Sequence, residues 1–162
     1  RSKKSHGSWV VEIAILQKSS HTNILKMYDS GILNNRVWIL LEFANGTLTD
    51  HIESIKVQKI SDYTLLDWYS QIFTGISYIH KKNIIHRDIK PSNIFVFKEN
   101  DSILLKLGDF NLSRELNVGN SSHAKSYCGT VDTIAPEIFN GEIYRYNADV
   151  WSALCVIVYT LT

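Results

Sequence analysis

The sequence predicts an α+β fold built as one domain, and three observations carry that prediction. Apolar residues recur at Leu65, Tyr69, Ile72, Ile76 and Ile79, spacings of four, three, four and three that belong to a helix packed along one face. Two apolar runs at 94–97 and 103–107 flank Glu99-Asn100-Asp101 and read as a β-hairpin. The chain of 162 residues is 44% hydrophobic and 11% aromatic, enough apolar surface for a real core. A chain of this length is ordinarily a single domain.

Taken in order, residues 8–20 read as a helix with Val11, Ala14 and Ile15 on one face and a serine at its start able to cap it. Two strands are expected at 24–28 and 37–43, separated by the turn-forming Asn34-Asn35. The second strand closes on Leu41-Glu42-Phe43-Ala44 and gives way to Asn45-Gly46. The long helix, expected over 61–82, delivers the chain into a polar loop at 86–93. The hairpin that follows sets Asn93 and Asp109 at its two ends, on adjacent strands and the same side. Residues 111–134 carry serine, glycine, asparagine and histidine with little periodicity, which is loop composition. Asp149 opens a last apolar helix over 150–162, with no cap or stop signal at its end. No internal repeat or low-complexity segment is present.

The polar loop reads His86-Arg87-Asp88-Ile89-Lys90-Pro91-Ser92-Asn93, a carboxylate, an ammonium and an amide at fixed offsets. Such a set suits transfer of a phosphoryl group from ATP to a hydroxyl. Asp88 would accept the hydroxyl proton, Lys90 would neutralise charge building on the γ-phosphate, and Asn93 would offer an oxygen to Mg²⁺. Asp109-Phe110-Asn111 follows, with a second carboxylate for the metal, and then Ala135-Pro136-Glu137. Three motifs in this order resemble the protein kinase family, and the resemblance runs over nearly the whole chain.

That resemblance implies a partial protein kinase fold, with residues 1–44 as the end of the small lobe and the start of the hinge, and 45–162 as part of the helical lobe. It implies ATP and Mg²⁺ as cofactors and a protein serine or threonine as acceptor. Glu12 stands where kinases carry the helix glutamate that pairs with a strand lysine. Neither that lysine nor a glycine-rich phosphate loop is found within 1–162, since Lys3 and Lys4 lie too close to Glu12 to come from a preceding strand. The chain is therefore expected to be the middle of a kinase domain. Leu41 is the implied gatekeeper, with Glu42 and Ala44 supplying hinge backbone to the adenine and Phe95 the apolar floor beneath it. Arg87 offers a cation to a phosphate on the 111–134 loop. Ser121, Ser122, Ser126, Tyr127 and Thr130 are the candidate acceptors there. Ser126, three residues before Gly129, is the implied activating site, whereas Thr130 is implied to hydrogen-bond Asp88 and Lys90. The aspartate matching Asp149 braces the backbone of the Asp88 loop in kinases.

Lys90 and Gly129-Thr130 point to the serine/threonine type. The stretches 65–72, Asn93-Ile94-Phe95 and Leu107-Gly108-Asp109-Phe110, and the spacing from Tyr144 through Asp149-Val150-Trp151, are similar to the NIMA-related (Nek) kinases. Three positions depart from the kinase pattern. Asn111 replaces a glycine whose backbone freedom serves the movement of the metal-binding aspartate. The 129–134 stretch lacks the usual proline and aromatic, and Leu154 replaces a glycine in the last helix.

Composition narrows the remaining choices. Seventeen Lys and Arg against 16 Asp and Glu, without a polybasic block, imply neither nucleic acid nor an anionic membrane as partner. Two cysteines, Cys128 and Cys155, form no disulfide framework or metal spacing and fit a reducing cytoplasmic or nuclear compartment. No apolar run has the length of a membrane span. A pseudokinase or scaffold is the alternative reading, opposed by the intact Asp88, Lys90, Asn93 and Asp109. Oligomeric state is not legible.

Overall fold

A computed structural model describes residues 8–55, 60–99, 102–116 and 129–161. Helix α1 (Ser8–Gln17) leads to an antiparallel hairpin of β1 (Met27–Leu33) and β2 (Arg36–Leu41). Asn34 and Asn35 both have positive φ, 49° and 59°, as a tight hairpin turn between twisted strands requires. That turn sets the register outward from Leu33 opposite Arg36. The first strand consequently starts later than the expected 24–28. Residues 23–25 instead run beside the strand carrying Leu107: Leu25 N–H donates to Leu107 O at 2.8 Å, and Leu107 N–H to Asn23 O at 2.9 Å.

Beyond the hairpin, β3 (Gly46–Thr47) joins α2 (Leu48–Ser54), a helix not anticipated from apolar periodicity. Its signal was a capping box: Thr47 N–H donates to Asp50 Oδ2 at 2.8 Å, and Asp50 N–H donates back to Thr47 Oγ1 at 3.3 Å. Helix α3 (Asp62–Lys81) lies within one residue of the expected span at each end, and Ser61 Oγ caps it by accepting from Thr64 N–H at 3.1 Å. It buries Leu65, Trp68, Ile72, Ile76 and Ile79, while Tyr69 is only half-buried.

Strand β4 (Ile84–Ile85) precedes the polar loop and a 3₁₀ turn at Pro91–Asn93, after which β5 (Ile94–Glu99) and β6 (Ser102–Leu107) form the expected hairpin. Sheet order is β3-β5-β6, all antiparallel. A second 3₁₀ turn, Phe110–Leu112, leads into β7 (Arg114–Glu115), which pairs with β4; loop composition over 111–134 had hidden this short strand. Helices α4 (Pro136–Phe139) and α5 (Asn147–Leu161) complete the order. The main core joins the inner faces of α1, α3 and α5 to β5 and β6. No helix among the described residues is long and apolar enough to cross a membrane.

Candidate active site

The polar loop is held from below. Asp149, fully buried near the start of α5, accepts His86 N–H at 2.9 Å on one carboxylate oxygen and Arg87 N–H at 2.8 Å on the other. His80, at the end of α3, places Nε2 2.8 Å from Asp149 Oδ2. These bonds hold Arg87 at φ 68°, a left-handed conformation that a non-glycine residue adopts only when its surroundings over-determine it. The His86 ring is buried as well. Asp88 N–H donates to its Nδ1 at 3.3 Å, so Nε2 carries the proton and donates to Gly108 O at 3.0 Å. Phe110 packs against the same ring, centroids 4.8 Å apart.

Asp88 is the centre of the loop's chemistry. Its Oδ1 accepts Thr130 Oγ1–H at 2.7 Å; its Oδ2 meets Lys90 Nζ and Asn93 Nδ2, each at 2.9 Å. Lys90 Nζ also donates to Thr130 Oγ1 at 2.7 Å, closing a three-membered cluster. Burial pulls the Asp88 carboxyl upward, but the bonds from Lys90, Thr130 and Asn93 and the lysine charge outweigh it. The group stays below the usual carboxylate range, hence ionised at neutral pH.

Asn93 spends its amide nitrogen on Asp88, on the carboxylate and on the main-chain oxygen at 2.8 Å, which leaves its amide oxygen for a cation. Gly108 N–H donates to Asn93 O at 3.0 Å, so the residue before Asp109 is clipped to Asn93. Asp109 is left-handed, φ 56°, and its Oδ1 accepts from Asn111 Nδ2. Among the described residues no group of three His, Cys, Asp or Glu could hold a metal alone. The donor set is instead one amide oxygen and one carboxylate. That fits Mg²⁺, a hard cation that takes one or two protein oxygens and fills its octahedron with phosphate oxygens and water.

The end of β2 presents a different surface. Glu42 N–H donates to Lys26 O at 3.0 Å, but Lys26 N–H goes to the Glu42 carboxylate at 2.6 Å, so the Glu42 carbonyl is not taken by Lys26. The other carboxylate oxygen pairs with Lys106 Nζ at 2.7 Å. Phe95 lies against Gly108, where a Cβ would come within 2.6 Å of its ring, with Leu25 on the same spot. Leu41 and Ala44 are half-buried. Glu12 is half-buried on α1, which packs on the Phe110–Leu112 turn.

Arg87 directs its guanidinium to Leu112 O through Nε and to the buried Tyr144 hydroxyl at 3.1 Å. Ser126 and the neighbouring hydroxyls at 121, 122 and 127 lie outside the described residues. On the far side of Lys90 and Thr130 a groove of about 640 Å³ opens against α5, lined there by Trp151, Leu154 and Val158. Leu154 is thus half exposed on the groove rather than packed in the core. Sequence reasoning missed His80, which falls in no motif, and took Tyr144 only as part of a spacing; the fold brings the first to Asp149 and the second to Arg87.

The family described as protein kinase domain matches residues 1–162. Similar proteins include a probable serine/threonine-protein kinase nek3 of Dictyostelium discoideum, 38% identical over 93% of this chain and 14% of its own length. The serine/threonine-protein kinase nekl-2 of Caenorhabditis elegans is 34% identical over 96% of this chain and 44% of its own length. Nek9 of Xenopus laevis, also named a serine/threonine-protein kinase, is 38% identical over 99% of this chain and 17% of its own length. The chain thus spans less than half of each of these relatives. A match across all 162 residues, on a fold that gathers Asp88, Lys90, Asn93 and Asp109 around one loop, means that this chain belongs to the protein kinase domain family, among its serine/threonine kinases.

Proposed function

We propose that the protein transfers the γ-phosphoryl group of ATP to serine or threonine hydroxyls of proteins, with Asp88 facing the acceptor. The supporting observation is the Asp88 cluster itself. Among the described residues, Asp88 Oδ2 already accepts from Lys90 and Asn93, whereas Oδ1 accepts from Thr130 alone. An incoming hydroxyl would therefore donate to Oδ1. A carboxyl held below its usual range is a weak base, so Asp88 orients the hydroxyl first and takes its proton late, as phosphorus–oxygen bond formation makes that proton acidic. Lys90 is positioned to neutralise charge on the transferring group.

Asn93 and Asp109 would hold Mg²⁺, which would supply positive charge to offset that of the phosphates. The Glu42 carbonyl and Ala44 N–H would meet the adenine edge in front of Leu41, above Phe95, and Glu12 would face the phosphate-binding lysine of the small lobe. In this reading residues 1–44 belong to the smaller lobe and 45–162 to the helical one, and the activity is that of the whole protein. The 162 residues alone are expected to turn over little, because no glycine-rich phosphate loop lies within them and positioning is most of what such enzymes supply. A phosphate on Ser126 would order the 111–134 loop by pairing with Arg87. The composition favours a cytoplasmic or nuclear setting.

The test is Asp88→Asn in the full-length protein. Turnover should fall by about 10²–10⁴-fold while nucleotide affinity stays within a few-fold. Near-unmodified turnover would remove Asp88 from the acceptor site.

A further inference from the structure

We propose that Asn111 is a positioning residue for Asp109: its side-chain amide holds carboxylate Oδ1, which leaves Oδ2 as the oxygen offered to the cation. The inference rests on the reading of Asp109 as a Mg²⁺ ligand and adds a role at a position where that reading supplies none.

Backbone geometry comes first. The non-glycine residues with positive φ among those described are Asn34, Asn35, Asn83, Arg87 and Asp109, and Asn111 is not one of them. The observed conformation therefore makes no demand for glycine at 111. A side chain there removes states open to glycine elsewhere in the ensemble, which favours this conformation by about two- to fivefold.

The hydrogen bond adds to that bias. Asn111 Nδ2 donates to Asp109 Oδ1 across a single intervening residue, and an amide donating to a carboxylate is charge-assisted. The platform beneath it is fixed. Phe110 is fully buried against His86, Ser113 N–H donates to Phe110 O at 3.0 Å, and Ser113 Oγ–H donates to His86 O at 3.2 Å. Asp109, by contrast, sits in the left-handed region, which a non-glycine residue holds only with outside support. Asn111 supplies that support from a rigid turn, and it fixes which oxygen faces outward.

Two variants in the full-length protein decide the matter. Asn111→Ala removes the donor; Asn111→Ser keeps a hydroxyl able to donate. In nucleotide-free protein, hydrogen exchange across 109–113 should quicken at least threefold in Asn111→Ala and stay closer to the unmodified rate in Asn111→Ser. Binding of Mn²⁺ with a non-hydrolysable ATP analogue, followed by the Mn²⁺ resonance signal, should weaken three- to tenfold in Asn111→Ala and less in Asn111→Ser, with the thermal midpoint of the apo protein unmoved. Equal exchange and equal Mn²⁺ affinity in Asn111→Ala would overturn the proposal, as would equal losses in both variants. If the unmodified protein binds no Mn²⁺ with the analogue, the kinase reading of Asp109 falls, and the exchange rates alone then decide the Asn111 contact.

Discussion

Asp88, Lys90 and Thr130 form a closed ring of contacts in which each member has two partners, and Thr130 is the member through which the ring meets the 129–134 stretch. Thr130 donates to one side of the Asp88 carboxylate and accepts from the lysine that flanks the other. The consequence is readable in acid. Because burial raises the Asp88 carboxyl and the hydrogen bonds lower it by more, its folded value lies below the unfolded one, near 3.8. Its contribution to stability is therefore complete above about pH 5 and is lost as pH falls through the folded value. In Thr130→Val one of the lowering bonds is gone and burial is less opposed. The Asp88 carboxyl should then titrate at higher pH, and acid unfolding should begin earlier by a measurable fraction of a pH unit. Carboxyl carbon resonances followed through the acid range would report both changes. An Asp88 titration identical in the two proteins would mean that Thr130 does not act on the carboxylate.

Helix α3 is the element on which the site is mounted, since it packs against β6 and α5 and its last turn brings His80 to Asp149. It approaches β6 and the 23–25 segment closely at Gly75. A Cβ there would stand 2.8 Å from the Asn23 carbonyl oxygen and 3.1 Å from Leu107 Cδ1. Asn23 is fixed in turn by its amide bond to Leu105 O at 2.9 Å and by the Leu107 N–H on its carbonyl. Gly75→Ala should destabilise the protein by about 1–3 kcal/mol, outweighing the better helix propensity of alanine. Chemical denaturation gives the number, and a stabilised Gly75→Ala protein would show that the helix can lift away at no cost.

Elements of this kind divide the legible from the illegible. The α3 helix and the β5–β6 hairpin were readable because their apolar spacing is long enough to have a period, although Trp68, fully buried on α3, fell outside the residues first assigned to that face. Strands β3, β4 and β7, of two residues each, have no period to read. Their existence follows from tertiary pairing, as in β4 with β7, which no local pattern encodes.

At the scale of the whole molecule, the site was legible as residue types and order, because Asp88, Lys90, Asn93 and Asp109 sit in short motifs. Its supports were legible unevenly: Asp149, which reaches the loop across 62 residues of chain, was read through the kinase resemblance alone, and His80, which reaches Asp149 across 69, was not read at all. The same long-range assembly leaves α5 apolar on two sides. One side buries Ala148, Ala153 and Val156 in the two cores. The other carries Trp151, Leu154 and Val158 at helical spacing, 45%, 49% and 60% exposed. A stripe of this kind beside an apolar groove is unusual on a monomer's surface and drives association. The 162-residue chain, prepared alone, should therefore associate in a concentration-dependent way, visible in sedimentation velocity. Replacing Leu154 and Val158 together by lysine should suppress that association while leaving the helical circular dichroism unchanged, because both side chains already face outward. Association that persists undiminished in the double variant would place the sticky surface elsewhere, with the exposed Ile32 and Leu33 at the end of β1 as the next candidates.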